Sequence, residues 1–178
     1  MLRYGLPTLA FGLLACGGGT PTATADPAAL EAGPPVLAEG VSAMAPVCGE
    51  AEPCDGLDSD CDGRIDEACE GVTHEVVEVA VAWNGPADLD LQLEAPGGSA
   101  PSREASCEGP RLERRSSSTL EPGAYRVSLR HAQGCGESAA VTASVTVAVA
   151  GEVRGIFNRE VVPGSEVEVV AFSVEGAR

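Results

Sequence analysis

The chain predicts a mainly β fold: an antiparallel β-sandwich of about seven strands over residues 74–178, preceded by a disulfide-bridged acidic loop and an unstructured linker. Three features carry that expectation. Apolar residues recur at every second position through the second half of the chain, the signature of half-buried strands. Gly and Pro pairs separate these runs at short intervals. No stretch of this half shows a helical period.

The strands follow in order. Val77, Val79, Val81 and Trp83 alternate with Glu78, Ala80 and Ala82, and Asn84-Gly85-Pro86 turns the chain. Leu89, Leu91 and Leu93 alternate with Asp88, Asp90, Gln92 and Glu94, and Ala95-Pro96-Gly97-Gly98 ends the run. Arg111 to Ser117 reads as a short polar strand. Pro122-Gly123 leads into Tyr125, Val127 and Leu129, then Val141, Val145, Val147 and Val149 alternate with Thr142, Ser144 and Thr146. Ile156-Phe157 and Val167 to Val174, parted by Pro163-Gly164, close the series. Cys107 and Cys135 flank the Tyr125 strand and are the natural candidates for a third disulfide.

The N-terminus divides from this. Arg3 and the apolar run Leu6 to Ala15 read as a signal peptide over residues 1–15, too short to span a bilayer. Leu13-Leu14-Ala15-Cys16 resembles a bacterial lipobox, which implies a lipidated, palmitate-bearing Cys16 and a membrane anchor. Gly17 after that Cys makes the outer membrane the expected site, with surface exposure open. Residues 16–47, rich in Pro, Ala, Gly and Thr, are expected to form a disordered spacer. The chain has 7 Cys, so setting Cys16 aside leaves an even number for disulfides.

Composition excludes some partners. The formal net charge is −16, with 27 acidic residues against 11 basic ones, all Arg. Nucleic acid and anionic membrane surfaces need a basic patch that this chain lacks. Aromatic residues are only 3%, so the core must be built from Val, Leu and Ala.

Residues 48–70 carry the densest chemistry. Asp58, Asp60 and Asp62 stand at alternate positions, followed at once by Gly63. Oxygen donors at loop positions one, three and five with glycine at six are how a short loop wraps Ca²⁺. Position seven would give the Arg64 carbonyl and position nine Asp66, with Glu67 adjacent, but position twelve is Cys69 instead of Glu. Cys48, Cys54, Cys61 and Cys69 could close two disulfides around a loop with almost no apolar side chains of its own.

This stretch, C-D-G-L-D-S-D-C-D-G-R-I-D-E at 54–67, resembles the metal-binding motif of MopE-type proteins. That resemblance implies metal binding, with copper suggested by the family. The residues argue for Ca²⁺, because copper prefers imidazole, thiolate or thioether, and the loop holds no His or Met. Further on, Trp83, P-A-D-L-D-L-Q-L-E-A-P-G-G at 86–98 and L-E-P-G-A-Y-R-V at 120–127 resemble the signatures of YfaP-type domains, envelope β-sandwiches akin to pre-peptidase C-terminal domains. This second resemblance implies a binding or accessory module rather than a catalyst.

The remaining candidates are sparse. Asp88 and Asp90 share a strand face and could hold a second Ca²⁺, or form a solvated acidic face. Arg111, Arg114 and Arg115 are expected to pair with nearby acids. His74 and His131 are the sole histidines, and Ser116 to Ser118 offer hydroxyls, but no catalytic motif connects them. The expectation is therefore a non-enzymatic envelope lipoprotein, its Ca²⁺-stabilised loop and sandwich serving binding, adhesion or scaffolding of a protein or glycan ligand. The alternative is a copper-sequestering envelope protein, distinguished by free thiols. A hydrolase seated in the loop Gly97 to Ser118 is a weaker third reading.

Overall fold

The computed structural model describes residues 30–45, 48–49, 53–70, 76–99, 107, 111–135 and 139–176. The signal peptide, Cys16 and His74 lie outside them. Among the described residues the chain forms eleven strands: β1 Leu30–Ala32, β2 Val36–Leu37, β3 Ser42–Ala43, β4 Val77–Trp83, β5 Ala87–Ala95, β6 Gly98–Ser99, β7 Leu112–Ser117, β8 Gly123–Gly134, β9 Val141–Val149, β10 Glu152–Val161 and β11 Glu166–Gly176. They make two antiparallel sheets. The first, sheet A, runs β1-β11-β8-β5-β6 with β2 also on β11, and the second, sheet B, runs β3-β10-β9-β4-β7.

Alternation decides which residues meet between the sheets, since side chains point to opposite faces along a strand. Val77, Val79 and Val81 of β4 join Val145 and Val147 of β9 and Phe157 of β10 in one buried cluster with Leu89, Leu91 and Leu93 of β5. Tyr125, Val127 and Leu129 of β8 complete it from the centre of sheet A, with the Tyr125 ring stacked on Phe172 at 5.1 Å. Between Glu168 and Val170 the register of β11 against β8 shifts, and Val169 and Val170 are both buried there. The strands expected at Val77, Leu89, Arg111, Tyr125, Val141, Ile156 and Val167 are all present as β4, β5 and β7 to β11.

The spacer expectation fails over residues 30–45, and its residues 16–29, 46 and 47 lie outside the described ones. β1 pairs with Val174–Gly176 and β2 with Val170 and Ala171 along the outer side of β11. The chain then crosses to the other sheet, where β3 pairs with Phe157 and Asn158 of β10. Arg159 reaches the Glu39 carbonyl between the two. The cause is backbone demand: β10 and β11 would otherwise be long edges with unpaired N–H and C=O groups. Val36 is 67% exposed, so this pairing leaves no alternating apolar pattern to read.

The opposite side of the sandwich closes with side chains. The Ala87 carbonyl of β5 accepts from Trp83 Nε1–H at 2.9 Å and from Arg111 at 3.3 Å. The Leu91 N–H donates to Glu113 Oε2 of β7 at 2.7 Å. Glu113 lies opposite Val81 on the inward face, and burial, the largest influence, raises its carboxyl above the ordinary 4.5. The Leu91 N–H and Arg115 pull it partly back.

Because the folded state holds this proton more tightly than the unfolded chain, the contribution of Glu113 is fully present below its ordinary 4.5 and is lost as pH rises through the folded value. Glu113→Gln keeps an oxygen for Leu91 and removes the titration. In chemical unfolding from about pH 4 to about pH 7, wild type should therefore lose stability relative to the variant. A pH-independent difference would contradict this placement of Glu113.

Candidate metal centre

The acidic loop is tied by two disulfides, Cys48–Cys61 and Cys54–Cys69. Cys69, which stands where a calcium loop has its final Glu, thus closes the loop covalently. Within it one carboxylate oxygen from each of Asp58, Asp60 and Asp62 lies within 4.8 Å of the other two. Short local bonds set them there. Asp60 Oδ1 accepts the Asp62 N–H at 3.1 Å, Asp62 Oδ1 accepts the Arg64 N–H at 2.9 Å, and Asp58 Oδ2 accepts the Gly63 N–H at 3.2 Å. Such aspartate turns are the usual way this residue type bends a backbone. Gly63 has φ +90°, with open space where a Cβ would stand, so its glycine answers a conformational need rather than a steric one.

Asp58 and its two companions differ in environment. Asp60 and Asp62 are exposed, whereas Asp58 is buried and its Oδ1 has no hydrogen-bond partner. A buried carboxylate oxygen without a donor is costly, by about 1–3 kcal/mol or more when charged. Two further carboxylates beside it add repulsion, and a bound cation relieves both.

The other expected ligands are placed differently. Asp66 is buried with both oxygens engaged: Oδ1 accepts the Gly56 N–H at 2.8 Å and Oδ2 pairs with Arg114 at 2.9 Å. It is a strut and not a member of the three-carboxylate group. Glu67 is exposed and also outside the group. Arg64 bridges to Glu152, but the two bonds there use the Gly63 carbonyl and the Ile65 N–H. The Arg64 carbonyl is not spent on them.

The same bonds attach the loop to the edge of β10 that β3 also uses, and from there the loop lies over the outer face of sheet B. Ile65 N–H donates to the Gly151 carbonyl at 3.1 Å and Val153 N–H to the Gly63 carbonyl at 2.9 Å. Ile65 itself is 0% exposed. Arg114 rises from β7 between the loop and Glu78 of β4, reaching Glu78 at 3.6 Å. Gly56, φ +80°, passes so close that a Cβ would sit 2.7 Å from Arg114 Nε. Ala80, Thr146 and Ala148, which point away from the inter-sheet core, are buried. A small cavity lined by Leu57, Asp58 and Ser59 above and Ser144, Thr146 and Ile156 below marks the junction.

Asp88 and Asp90 are not a solvated face. Both are buried, and Asp90 Oδ2 accepts from Arg130 Nε at 3.0 Å and Nη2 at 2.8 Å. That hydrogen bond, with the attraction behind it, raises the Arg130 guanidinium further above its ordinary range. Neither aspartate joins a group of three metal-ligating side chains among the described residues. Arg115 pairs with Glu113 at 3.5 Å. His131 is buried opposite Leu89, six residues along β8 from Tyr125. Ser116 to Ser118 gather with Tyr125 around a cleft, and His131 lies roughly 20 Å along β8 from that tyrosine. Cys107 pairs with Cys135, and the six cysteines from Cys48 onward are all in disulfides.

No family model, curated protein or solved structure matches the chain.

Sequence reasoning missed the docking. Its signal was present in the second face of β4 and β9, where Ala80, Thr146 and Ala148 are small for a solvated face, and in Ile65, which with Leu57 is one of two large apolar residues among the acids of the loop. Ile65→Ala should destabilise the sandwich by about 2–5 kcal/mol, the transfer and cavity cost of a buried large-to-small change. Fluorescence of Trp83, on β4, reports the urea transition of sheet B. An unchanged midpoint would show that the loop and sheet are independent.

Proposed function

We propose that this protein is an envelope lipoprotein in which a Ca²⁺-binding loop fastens one face of a β-sandwich that serves as a binding or scaffold module. The observation that carries the metal assignment is the Asp58 Oδ1, buried and without a donor inside a group of three carboxylates. Asp58, Asp60 and Asp62 would hold the ion, with the Arg64 carbonyl at the seventh loop position. Bound Ca²⁺ would supply the positive charge that offsets their repulsion. Asp66 and Arg114 keep the loop seated while the ion is bound.

Calcium is favoured over copper by the donors. The group is made of oxygen alone, and its neighbouring cysteines are oxidised, which removes the thiolates copper would seek. The resemblance of residues 54–67 to the MopE-type motif supports a metal role, and that of residues 86–98 and 120–127 to YfaP-type domains supports a binding module. A binding role is also favoured because His131 is remote from the hydroxyls that a hydrolase would activate. Attachment through Cys16, with the outer membrane as destination, rests on the lipobox resemblance.

Calorimetric titration of the oxidised protein tests the metal. Ca²⁺ should bind with a Kd of about 10⁻⁶ to 10⁻³ M, spanning sensor and extracellular sites. Asp62→Ala should abolish that heat and leave the sandwich folded, since Asp62 is exposed. Tight Cu²⁺ binding with no response to Ca²⁺ would reverse the assignment. The anchor is tested separately: Cys16→Ser should move the protein from the membrane fraction to the soluble one.

A further inference from the structure

A second concave site lies away from the metal loop. A cleft of about 330 Å³ opens between the β5–β6 hairpin and the end of β7, where the two sheets part. That volume is at the small end of ligand pockets, which run from about 300 to 1,000 Å³. Its walls are hydroxyls from both sheets: Ser99 on one side, Ser117 and Thr119 on the other. The Ser117 hydroxyl donates to the Thr119 carbonyl at 2.8 Å, which leaves its lone pairs as acceptors.

One carboxylate faces this surface, and the backbone that carries it is held. The Tyr125 hydroxyl accepts the Glu121 N–H at 3.0 Å and donates to the Glu121 carbonyl at 3.1 Å, fixing the backbone that carries the side chain. The Tyr125 ring is buried and stacked on Phe172, so the anchor is rigid. Gly97 lies beneath: a Cβ there would come within 3.4 Å of Glu121 Oε2. The carboxylate therefore rests against bare backbone at the mouth of the cleft.

The lining selects a ligand class. Among the described residues that line the cleft none is basic, and the chain carries a net charge of −16, so anions are disfavoured. The lining is more polar than apolar, with Leu93, Ala95 and Tyr125 set among hydroxyls and glycines, which disfavours wholly apolar ligands. Ser and Thr hydroxyls both donate and accept, and a carboxylate accepts from two adjacent hydroxyls at once. We propose that this cleft binds a neutral saccharide, with Glu121 as the residue that accepts from a vicinal hydroxyl pair. The proposal rests on the reading of the sandwich as a binding module and is independent of the metal.

The test is titration of the full chain with cellobiose, maltose and N,N′-diacetylchitobiose, followed by amide chemical shifts. Spermidine and trialanine serve as probes of other chemistry. At least one disaccharide should saturate with a Kd on the order of 1 mM, shifting Ser99 and Ser117. Glu121→Ala should weaken it about tenfold or more, the cost of losing a hydrogen bond to a charged group. Its unfolding midpoint should stay unchanged, since the side chain is exposed. Silence from every disaccharide, binding indifferent to Glu121→Ala, or preference for spermidine would each overturn the proposal. Trialanine binding at the same amides would overturn the saccharide and leave the binding-module reading standing.

Discussion

The arrangement depends on one junction, the seating of Ile65 and Asp66 on the outer face of sheet B. A loop of carboxylates has no core of its own and cannot repay the entropy of ordering itself. Two disulfides shorten the unfolded chain, but they do not bury apolar surface. Docking supplies what is missing. Ile65 is removed from water, the Ile65 and Val153 amides cross the junction, and Arg114 neutralises Asp66 within it. The three-carboxylate group then inherits its rigidity from a β-sheet rather than from the loop.

The sandwich benefits in turn. A two-sheet fold has four edges, and two devices close three of them. The strap of β1, β2 and β3 runs along β11 and crosses to β10, so one short segment covers an edge in each sheet. On the other side Trp83, Arg111 and Glu113 bond to the Ala87 and Leu91 backbone groups of β5. Charged side chains at an edge discourage pairing with another chain, which matters for a sheet rich in valine. The cleft near Tyr125 sits where this side-chain closure ends and the β5–β6 hairpin leans away from β7.

Much of the fold was legible because it rests on alternation. Val77 to Trp83, Leu89 to Leu93 and Val141 to Val149 advertise one buried face each, and Gly-Pro turns separate them. The aspartate spacing likewise announced Asp58, Asp60 and Asp62, since an Asp turn and a glycine at position six are local matters. What was hidden is what depends on long-range contact. Asp66 has the spacing of a ligand, yet Arg114, forty-eight residues on, holds it. Asp90 looks solvated beside Gln92, yet Arg130 from β8 covers its charge. The strap is held largely by backbone pairing, and Val36 and Leu37, both exposed, show no alternation of burial to betray it.

The claim that loop and sandwich form one cooperative unit is tested most directly by native-state hydrogen exchange with and without Ca²⁺. The amides of Ile65 and Val153 cross the junction, and those of Val79 and Val147 lie within sheet B. One unit predicts that all four open with the same free energy, and that Ca²⁺ raises them together by the linkage RT ln(1 + [Ca²⁺]/Kd). Early exchange at Ile65 and Val153, with Ca²⁺ leaving Val79 and Val147 unmoved, would contradict it: the loop would then be a separate appendage resting on a self-sufficient sandwich.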